Sequence, residues 1–343
     1  MNQDNRRYRK QELFNGLGQA GQARLRQAGV LVAGCGALGG TIASLLVRAG
    51  IGRLRVVDRD FLELSNLGRQ LLYTEADLKT GLPKAVLAER RLREMNSEVE
   101  VEGVVADLNP DNVIELMSGV DLVLDGLDNQ ETRYLINDAA VSLGLPWIYI
   151  GVIGSSGNVM TIIPGETNCL RCLFPEPAPP GVLPTCDTTG IIGPTPNVAA
   201  SIGVSEAMKI LSGAQERLNP GLFTFELWDN SYQAIPLESG PREDCPCCQE
   251  KRFEFLEGRD RSTTEIMCGI DAVQVNPPKE FRLDLNQLIQ RLDQDSIMSS
   301  NDYLVRFEAE DFQFSVFPDG RVIIHGTADP GQARALYDRY VGF

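Results

Sequence analysis

Short apolar runs alternate with amphipathic segments through the first 145 residues of the chain. The pattern predicts, in chain order, a polar helix over 7–27, a strand and glycine turn over 30–40, a helix over 41–50, a strand over 54–58, a helix over 84–96, and strands over 99–106 and 120–129. Alternation of this kind predicts an α/β fold with a doubly wound, mostly parallel sheet. A ligand crevice is expected beyond the carboxyl ends of its strands.

The pattern changes after residue 145. Two strands, 147–154 and 157–164, follow each other without an intervening helix. Five prolines between residues 175 and 184 predict an exposed connection, because proline cannot continue a helix or a central strand. A helix rich in small residues is then predicted over 197–211.

A change towards charged composition indicates a domain boundary. We predict a first domain over residues 1–250, a linker over 251–263 and a small α+β domain over 264–343. Within the last segment, strands are expected over 304–310, 312–316 and 321–326, and a helix over 329–341.

The glycine turn has the spacing of a dinucleotide-binding loop. Gly34, Gly36 and Gly39 form G-x-G-x-x-G between a strand and a helix, and Asp58 lies at the end of the next strand. Such glycines let backbone N–H groups approach phosphate at a helix N-terminus, and the acid suits a ribose. This motif alone does not choose between NAD, FAD and ATP.

The segment that follows Asp58 favours a triphosphate. It contains Asp60, Asn66, Arg69 and Gln70, and Lys84 stands at the start of the next predicted helix. A guanidinium offers a planar fork to phosphate oxygens, and the amides add neutral donors. A lysine at a helix N-terminus is favoured by a bound anion, although such a lysine is also a common surface residue.

Asp128 and Asn129 follow the strand predicted over 120–129. A carboxylate facing a polyphosphate would be repelled unless Mg²⁺ lay between them, so Asp128 is a candidate magnesium ligand. The alternative for Asp128 is a capping role, since a helix can start at this point.

The cysteines form two C-x-x-C knuckles. Cys169 and Cys172 make the first, and Cys245 and Cys248 the second. Four thiolates in paired knuckles match a closed, tetrahedral structural zinc site, with a redox pair or simple buried thiols as alternatives. Cys247 lies inside the second knuckle, but the spacing favours Cys248 as the ligand.

Charge and histidine content exclude several functions. The formal charge of −15 argues against nucleic acid or an anionic membrane surface as a partner. The N-terminus lacks a signal-peptide pattern and no apolar run reaches membrane-spanning length, so a soluble, cytoplasmic protein is expected. His325 is the only histidine, which rules out a histidine base elsewhere in the chain.

The motifs in their chain order resemble those of the MoeB/ThiF family of bacterial adenylyltransferases, relatives of the ubiquitin-activating enzymes. The resemblance covers about residues 5–250 and rests on G-x-G-x-x-G, D-x-D, S-N-L-x-R-Q, G-x-x-K-A and D-G-x-D-N. It implies a Rossmann-like domain that uses ATP and Mg²⁺ to adenylate the C-terminal glycine of a small ubiquitin-fold sulfur carrier ending in Gly-Gly. Carried over, Asp58 would hold the ribose, Asn66, Arg69 and Lys84 the phosphates, and Asp128 the magnesium.

The resemblance also implies a homodimer, a structural zinc and a downstream sulfur transfer. In the family an N-terminal arginine reaches into the partner subunit's nucleotide site, and Lys10 stands in its place here. A lysine keeps the charge but loses the bidentate fork. Cys186 matches a cysteine that is a covalent thiol in some members and dispensable in others. A sulfurtransferase is therefore a candidate second partner.

Two other functions stay open from the sequence. A nucleotide-binding scaffold without catalysis would account for Lys10 and for the extra C-terminal domain. An NAD-dependent oxidoreductase would account for the glycine loop, but it leaves Arg69 and Lys84 without a role.

Overall fold

The computed structural model of the 343-residue chain describes residues 7–177, 189–237, 240–258, 264–267, 271–276 and 283–341. The chain forms two compact units, residues 1–259 and 260–343. None of the described helices is long and apolar enough to cross a membrane.

The first unit is built on an eight-stranded sheet. Its strands are β1 (Gly29–Ala33), β2 (Arg53–Val57), β3 (Glu100–Val104), β4 (Leu122–Asp125), β5 (Trp147–Ile153), β6 (Ser156–Ile162), β7 (Gly221–Glu226) and β8 (Ser231–Pro236). They lie in the order β3-β2-β1-β4-β5-β6-β7-β8. Strands β1 to β5 pair in parallel, and the pairs from β5–β6 to β7–β8 are antiparallel. The predicted α/β fold is confirmed.

Helices cover both faces of this sheet. They are α1 (Arg9–Glu12), α2 (Gly18–Leu25), α3 (Ala37–Ala49), α4 (Glu75–Leu78), α5 (Lys84–Met95), α6 (Val113–Met117), α7 (Gln130–Leu143), α8 (Leu170–Leu173) and α9 (Pro194–Ser212). Helices α3, α5 and α9 share one apolar core with the sheet, and α6, α7 and α8 share the other. This double layer explains why β1 and β4 are buried along their whole length.

The single helix predicted over 7–27 is wrong, because the segment forms α1 and α2 with a turn between them. Gly18 has a φ of +63°, which begins α2 in a backbone conformation that few other residues adopt. Part of the segment predicted as a linker belongs to the first unit. Phe253, Phe255 and Leu256 pack against the core that contains α7. Their apolar side chains are stabilised by this burial, so the chain stays on the first unit at least to Leu256.

The second unit contains a six-stranded antiparallel sheet. Its elements are β9 (Thr264–Ile266), β10 (Ala272–Val275), α10 (Leu285–Arg291), β11 (Ile297–Asn301), β12 (Leu304–Ala309), β13 (Phe312–Val316), β14 (Val322–His325) and α11 (Pro330–Tyr340). The strand order is β11-β12-β13-β14-β10-β9. Phe307 and Phe314 stack at 4.6 Å between ring centroids in its core. The unit is therefore an α+β fold, and His325 ends its strand β14 half-buried.

Candidate functional site

The glycine loop joins β1 to α3 and leaves no room for a side chain at Gly34 or Gly39. Gly34 has a φ of +85°, and a Cβ atom on Gly39 would lie 1.9 Å from the carbonyl oxygen of Gly34. Gly36 precedes the first helical residue, and no side chain of the described residues caps that end of α3. The first N–H groups of a thirteen-residue helix therefore stay available for an anion.

Asp58 follows β2 and is tied to this loop. Its carboxylate accepts hydrogen bonds from the backbone N–H of Cys35 at 2.6 Å and of Asp60 at 2.7 Å. Burial, together with the neighbouring charge of Asp60, raises the pKa of the Asp58 carboxyl to about 6. The acid expected to hold a ribose thus lies beside the glycine loop, as the parallel strand order requires.

Lys84 is buried rather than on the surface, so the surface alternative is wrong. It is the first residue of α5, only 6% exposed, and its Nζ donates to Oδ2 of Asp60 at 3.2 Å. Burial opposes its charge, but the carboxylates of Asp60, Asp58 and Asp128 raise the pKa of Lys84 above its ordinary value. Lys84 thus forms an ion pair with Asp60, and the charges of Asp58 and Asp128 also act on its ammonium group. We call the region of the glycine loop and these four side chains the carboxyl-end crevice.

Tyr73 holds the crevice together and was missed by the sequence analysis. Its buried hydroxyl lies 2.8 Å from the carbonyl oxygen of Cys35 in the glycine loop and 3.2 Å from that of Lys84. It also lies 3.1 Å from Sγ of Cys35. Burial raises the pKa of the Cys35 thiol to about 12, so this cysteine is a packed and unreactive side chain. A tyrosine in an apolar run gives little sequence signal of such a role.

The segment 65–70 borders the same loop. Gln70 is 4% exposed, its Oε1 has no hydrogen-bond partner among the described residues, and its Nε2 faces Gly36. Asn66 is also buried, but its Oδ1 accepts from the backbone N–H of Glu63 at 3.1 Å. Arg69 is partly exposed and donates to the backbone oxygen of Ser65 at 3.1 Å. Gln70 and Arg69 can therefore turn to a ligand without breaking a buried side-chain network.

Asp128 and Asn129 lie between β4 and α7. Asp128 is exposed, whereas Oδ1 of Asn129 accepts from the backbone N–H of Thr132 at 2.9 Å and caps α7. The cap is therefore Asn129, and the capping alternative for Asp128 is wrong. The side-chain oxygen of Asn129 is used in capping the helix. The Asp128 carboxylate has no part in the cap.

A buried ion pair at the end of β4 was also missed. Oδ2 of Asp125 lies 2.8 Å from Nε of Arg133, and the Asp125 side chain is fully buried. Burial raises the pKa of the Asp125 carboxyl, against the opposing charge of Arg133. Arg133 also donates to the backbone oxygens of Leu127 and Ile150 at 2.7 and 3.1 Å. An acid directly after the apolar run LVL is the signal that could have found this pair.

The four predicted zinc ligands meet in the structure. The sulfur atoms of Cys169, Cys172, Cys245 and Cys248 are buried and all lie within 4.8 Å of one another. Neighbouring sulfurs are 3.6 Å apart for Cys169 and Cys245, 3.8 Å for Cys169 and Cys172, and 3.5 Å for Cys172 and Cys248. A tetrahedral zinc with bonds of about 2.3 Å needs sulfurs about 3.8 Å apart, so this cysteine cluster fits the ion.

Cys247 lies outside the cysteine cluster, as its spacing predicts. Its sulfur accepts a hydrogen bond from Nδ2 of Asn137 at 3.2 Å. Within the cluster, the hydrogen bond from Cys172 lowers the pKa of the Cys169 thiol to about 3. A thiolate favoured in this way is the form that binds a metal.

The remaining predicted residues lie elsewhere. Lys10 is exposed on α1, consistent with a side chain that is not needed for the fold of its own subunit. Cys186 lies outside the described residues.

Comparison with known proteins agrees with this geometry. A model of the ThiF family matches residues 8–247. The chain is 41% identical over 337 residues to the sulfur carrier protein ThiS adenylyltransferase of Bacillus subtilis (strain 168), covering 98% of this chain and 99% of that protein. It is 39% identical over 269 residues to the sulfur carrier protein adenylyltransferase of Thermus thermophilus, covering 77% of this chain and 96% of that protein.

A solved structure has a similar fold. The crystal structure of E. coli MccB with ATP matches with a TM-score of 0.61 and 23% identity, covering 71% of this chain and 75% of that chain. The match of 337 residues to the Bacillus subtilis protein extends well beyond residue 247, where the family model ends. The chain belongs to the ThiF family.

Proposed function

We propose that the protein uses ATP and Mg²⁺ to adenylate the C-terminal glycine of a small ubiquitin-fold sulfur carrier. The observation that carries the proposal is the buried Lys84 of the carboxyl-end crevice, which is paired with Asp60 and lies under the charges of Asp58 and Asp128, together with the open N-terminus of α3. The relatives named as sulfur-carrier adenylyltransferases support the same activity.

The charges of the crevice favour ATP with a divalent cation over NAD. Three carboxylates and one ammonium leave an excess of negative charge, which would repel a polyphosphate. Asp128 would hold Mg²⁺, and the charge of the ion would offset that repulsion. Arg69, partly exposed in the segment that borders the glycine loop, would supply a guanidinium to the phosphates.

The reaction needs binding and charge neutralisation rather than a base. A C-terminal carboxylate is already ionised at pH 7 and can attack the α-phosphorus of ATP while pyrophosphate leaves. Lys84 and Arg69 would stabilise the charge that develops on the leaving pyrophosphate. Asp58 would orient the ribose, and Asn66 and Gln70 would donate to phosphate. The role of Asp60 is to hold the Lys84 ammonium at the base of the crevice.

We propose Zn²⁺ for the cysteine cluster. Four buried sulfurs at tetrahedral spacing leave no position for a substrate, so the ion would be structural. It would fasten the segment after β8 to the segment after β6, because the two knuckles come from these two places.

The wider assembly is proposed from the family resemblance. A homodimer would let the exposed Lys10 of one subunit reach the nucleotide of its partner, as the family's arginine does. By the same resemblance, the Cys186 thiolate would attack the acyl carbon of the adenylated glycine, forming a thioester and releasing AMP. A sulfurtransferase is the candidate partner for the later sulfur transfer. A carrier of the ThiS type is favoured, since the Bacillus subtilis relative named for it matches both units of this chain. All of these reactions belong to the cytoplasm.

Carrier-dependent exchange of labelled pyrophosphate into ATP tests the proposal. We expect exchange with a Gly-Gly-ending carrier, and no exchange with a carrier that lacks its last glycine. Binding of ATP without exchange for any carrier would instead favour a scaffold that has lost catalysis. Tight binding of NADH with indifference to ATP would overturn the proposal in favour of an oxidoreductase.

A further inference from the structure

Asn137 forms a hydrogen bond with a residue of each cysteine knuckle. It lies on α7 with its side chain fully buried. Its Oδ1 accepts from the backbone N–H of Leu170 at 2.9 Å, and its Nδ2 donates to Sγ of Cys247 at 3.2 Å. Leu170 belongs to the first cysteine knuckle and Cys247 to the second. One side chain therefore contacts both cysteine knuckles.

The orientation of this amide follows from its partners. The backbone N–H of Leu170 can only donate, so it must face the amide oxygen. The amide nitrogen then faces the Cys247 sulfur, where it finds an acceptor. Both polar ends are satisfied in a place without solvent, and loss of either would leave a buried polar group unpaired.

Two neighbouring residues of α7 form hydrogen bonds with the segments that follow the cysteine knuckles. Tyr134 donates from its hydroxyl to the backbone oxygen of Phe174 at 3.0 Å, just after the first knuckle. Oδ2 of Asp138 accepts from the backbone N–H of Phe255 at 3.0 Å, after the second knuckle. The bonds to Phe174 and Phe255 reach the flanks of the knuckles. Asp138 also interacts with Cys247 and lies 4.0 Å from the Arg171 guanidinium, so it supports the knuckles beside Asn137.

The start of α7 is held separately. Asn129 caps its first turn, and Arg133 pairs with Asp125 at the end of β4. The helix is therefore fixed on the sheet without help from the cysteines, so it can act as a rigid support for them.

We propose that Asn137 is a positioning residue that holds the two cysteine knuckles at ligand distance and thereby sets how slowly the metal is released. Seventy-two residues lie between Cys172 and Cys245. Bringing the two knuckles together therefore has an entropic cost, which a side chain that contacts both helps to offset. This inference rests on the proposed metal centre. It does not depend on the adenylation chemistry.

The test measures transfer of Zn²⁺ from the intact, zinc-loaded protein to a chromogenic chelator. We expect Asn137→Ala to release the metal about tenfold faster or more, as loss of two buried hydrogen bonds would cause. The matched control is Asn96→Ala, because Asn96 is also buried and its Nδ2 donates to Tyr8 and to the backbone oxygen of Val47, away from the cysteines. Asn96→Ala is expected to lower stability and leave the release rate unchanged.

A second pair of variants probes the same contact from the sulfur side. Cys247→Ala removes the acceptor for Asn137, and with it the contact of Cys247 with Asp138, and should speed release. Cys247→Ser retains a group that can accept from Asn137 and donate to Asp138, and should restore most of the slow rate. If Asn137→Ala does not accumulate as folded protein, the Cys247 variants still test the proposal. Release that is equally fast in the Asn137 and Asn96 variants, or no difference between the Cys247 variants, would overturn the positioning role. Failure of the wild-type protein to bind Zn²⁺ would overturn the metal centre itself. The proposed adenylation is tested separately, by pyrophosphate exchange, and does not depend on either result.

Discussion

The ammonium group of Lys84 lies 3.2 Å from a carboxylate oxygen of Asp60, at the point where α5 begins and close to the end of β2. The Lys84 side chain is 8% exposed and that of Asp60 35%, so the pair faces the crevice from inside the protein. A lysine at the positive end of a helix dipole is ordinarily unfavourable. Here the charges of the nearby carboxylates reverse that balance, and a polyphosphate would bind beside them only together with a divalent cation.

Replacement of Lys84 by Met should destabilise the protein in a pH-dependent way. Lys84 lowers the pKa of the Asp58 carboxyl against burial, so its loss raises that pKa further above about 6. The unfavourable ionisation of Asp58 then weakens folding at pH 8, whereas at pH 5 this carboxyl is largely protonated in both proteins. We expect a loss of about 2 kcal/mol at pH 8, below the range for a fully buried pair. Urea unfolding at both pH values measures it, with the exposed Lys79→Met as control. An equal loss at pH 5 and pH 8 would contradict the coupling.

Arg69→Ala should reduce activity without reducing stability. The Arg69 side chain is partly exposed and bonds only to the backbone oxygen of Ser65 among the contacts described for it. Loss of a charge-assisted donor to phosphate should slow pyrophosphate exchange by roughly 2 kcal/mol or more in activation free energy. Exchange rates and thermal unfolding are compared with those of Arg90→Ala, an exposed arginine on α5. An unchanged exchange rate would remove Arg69 from the site.

Asp58→Asn should change how stability depends on pH. The pKa of Asp58 in the folded protein, about 6, lies above its ordinary value of 3.8, so the folded state binds this proton more tightly than the unfolded state. Its stabilising contribution is fully present below pH 4 and is lost as the pH rises through 6, by about 3 kcal/mol at most. The variant should lack this loss between pH 4 and pH 7. The free energy of unfolding, measured with urea, would change with pH in the same way for both proteins if the pKa of Asp58 were not raised.

The two cysteines at the end of the second knuckle should behave differently. Cys248→Ser removes a member of the cysteine cluster and should abolish stoichiometric Zn²⁺ and lower the melting temperature. Cys247→Ser should retain one equivalent, because Cys247 lies outside the cluster. Metal content by elemental analysis decides between them, and the reverse pattern would exchange the ligand assignment.

Cys186→Ser should separate activation from sulfur transfer. Adenylation does not require a thiol, so pyrophosphate exchange should stay intact while later sulfur transfer to the carrier stops or slows. A collapse of exchange in this variant would show that the two steps are not separate.

Several side chains of the site could be predicted from the sequence because strand ends carry a clear pattern. Asp58 and Asp128 follow apolar runs, and parallel strands bring their carboxyl ends to one edge of the sheet. Tyr73 could not be predicted in this way, and for Arg133 only its partner Asp125 carries a sequence signal, as an acid directly after an apolar run. Their roles depend on partners distant in sequence, Cys35 and Ile150 among them, and no local pattern marks such contacts.

The sequence by itself determined the α/β class, the glycine loop and the four candidate zinc ligands, because each rests on spacing along the chain. Only the tertiary structure decided that Lys84 is buried, that Asn129 rather than Asp128 caps α7, and that Asn137 contacts both knuckles. The physical reason is that burial and hydrogen-bond partners are properties of packing between elements. A side chain's charge and reach are local, but the dielectric and the donors around it come from residues many positions away.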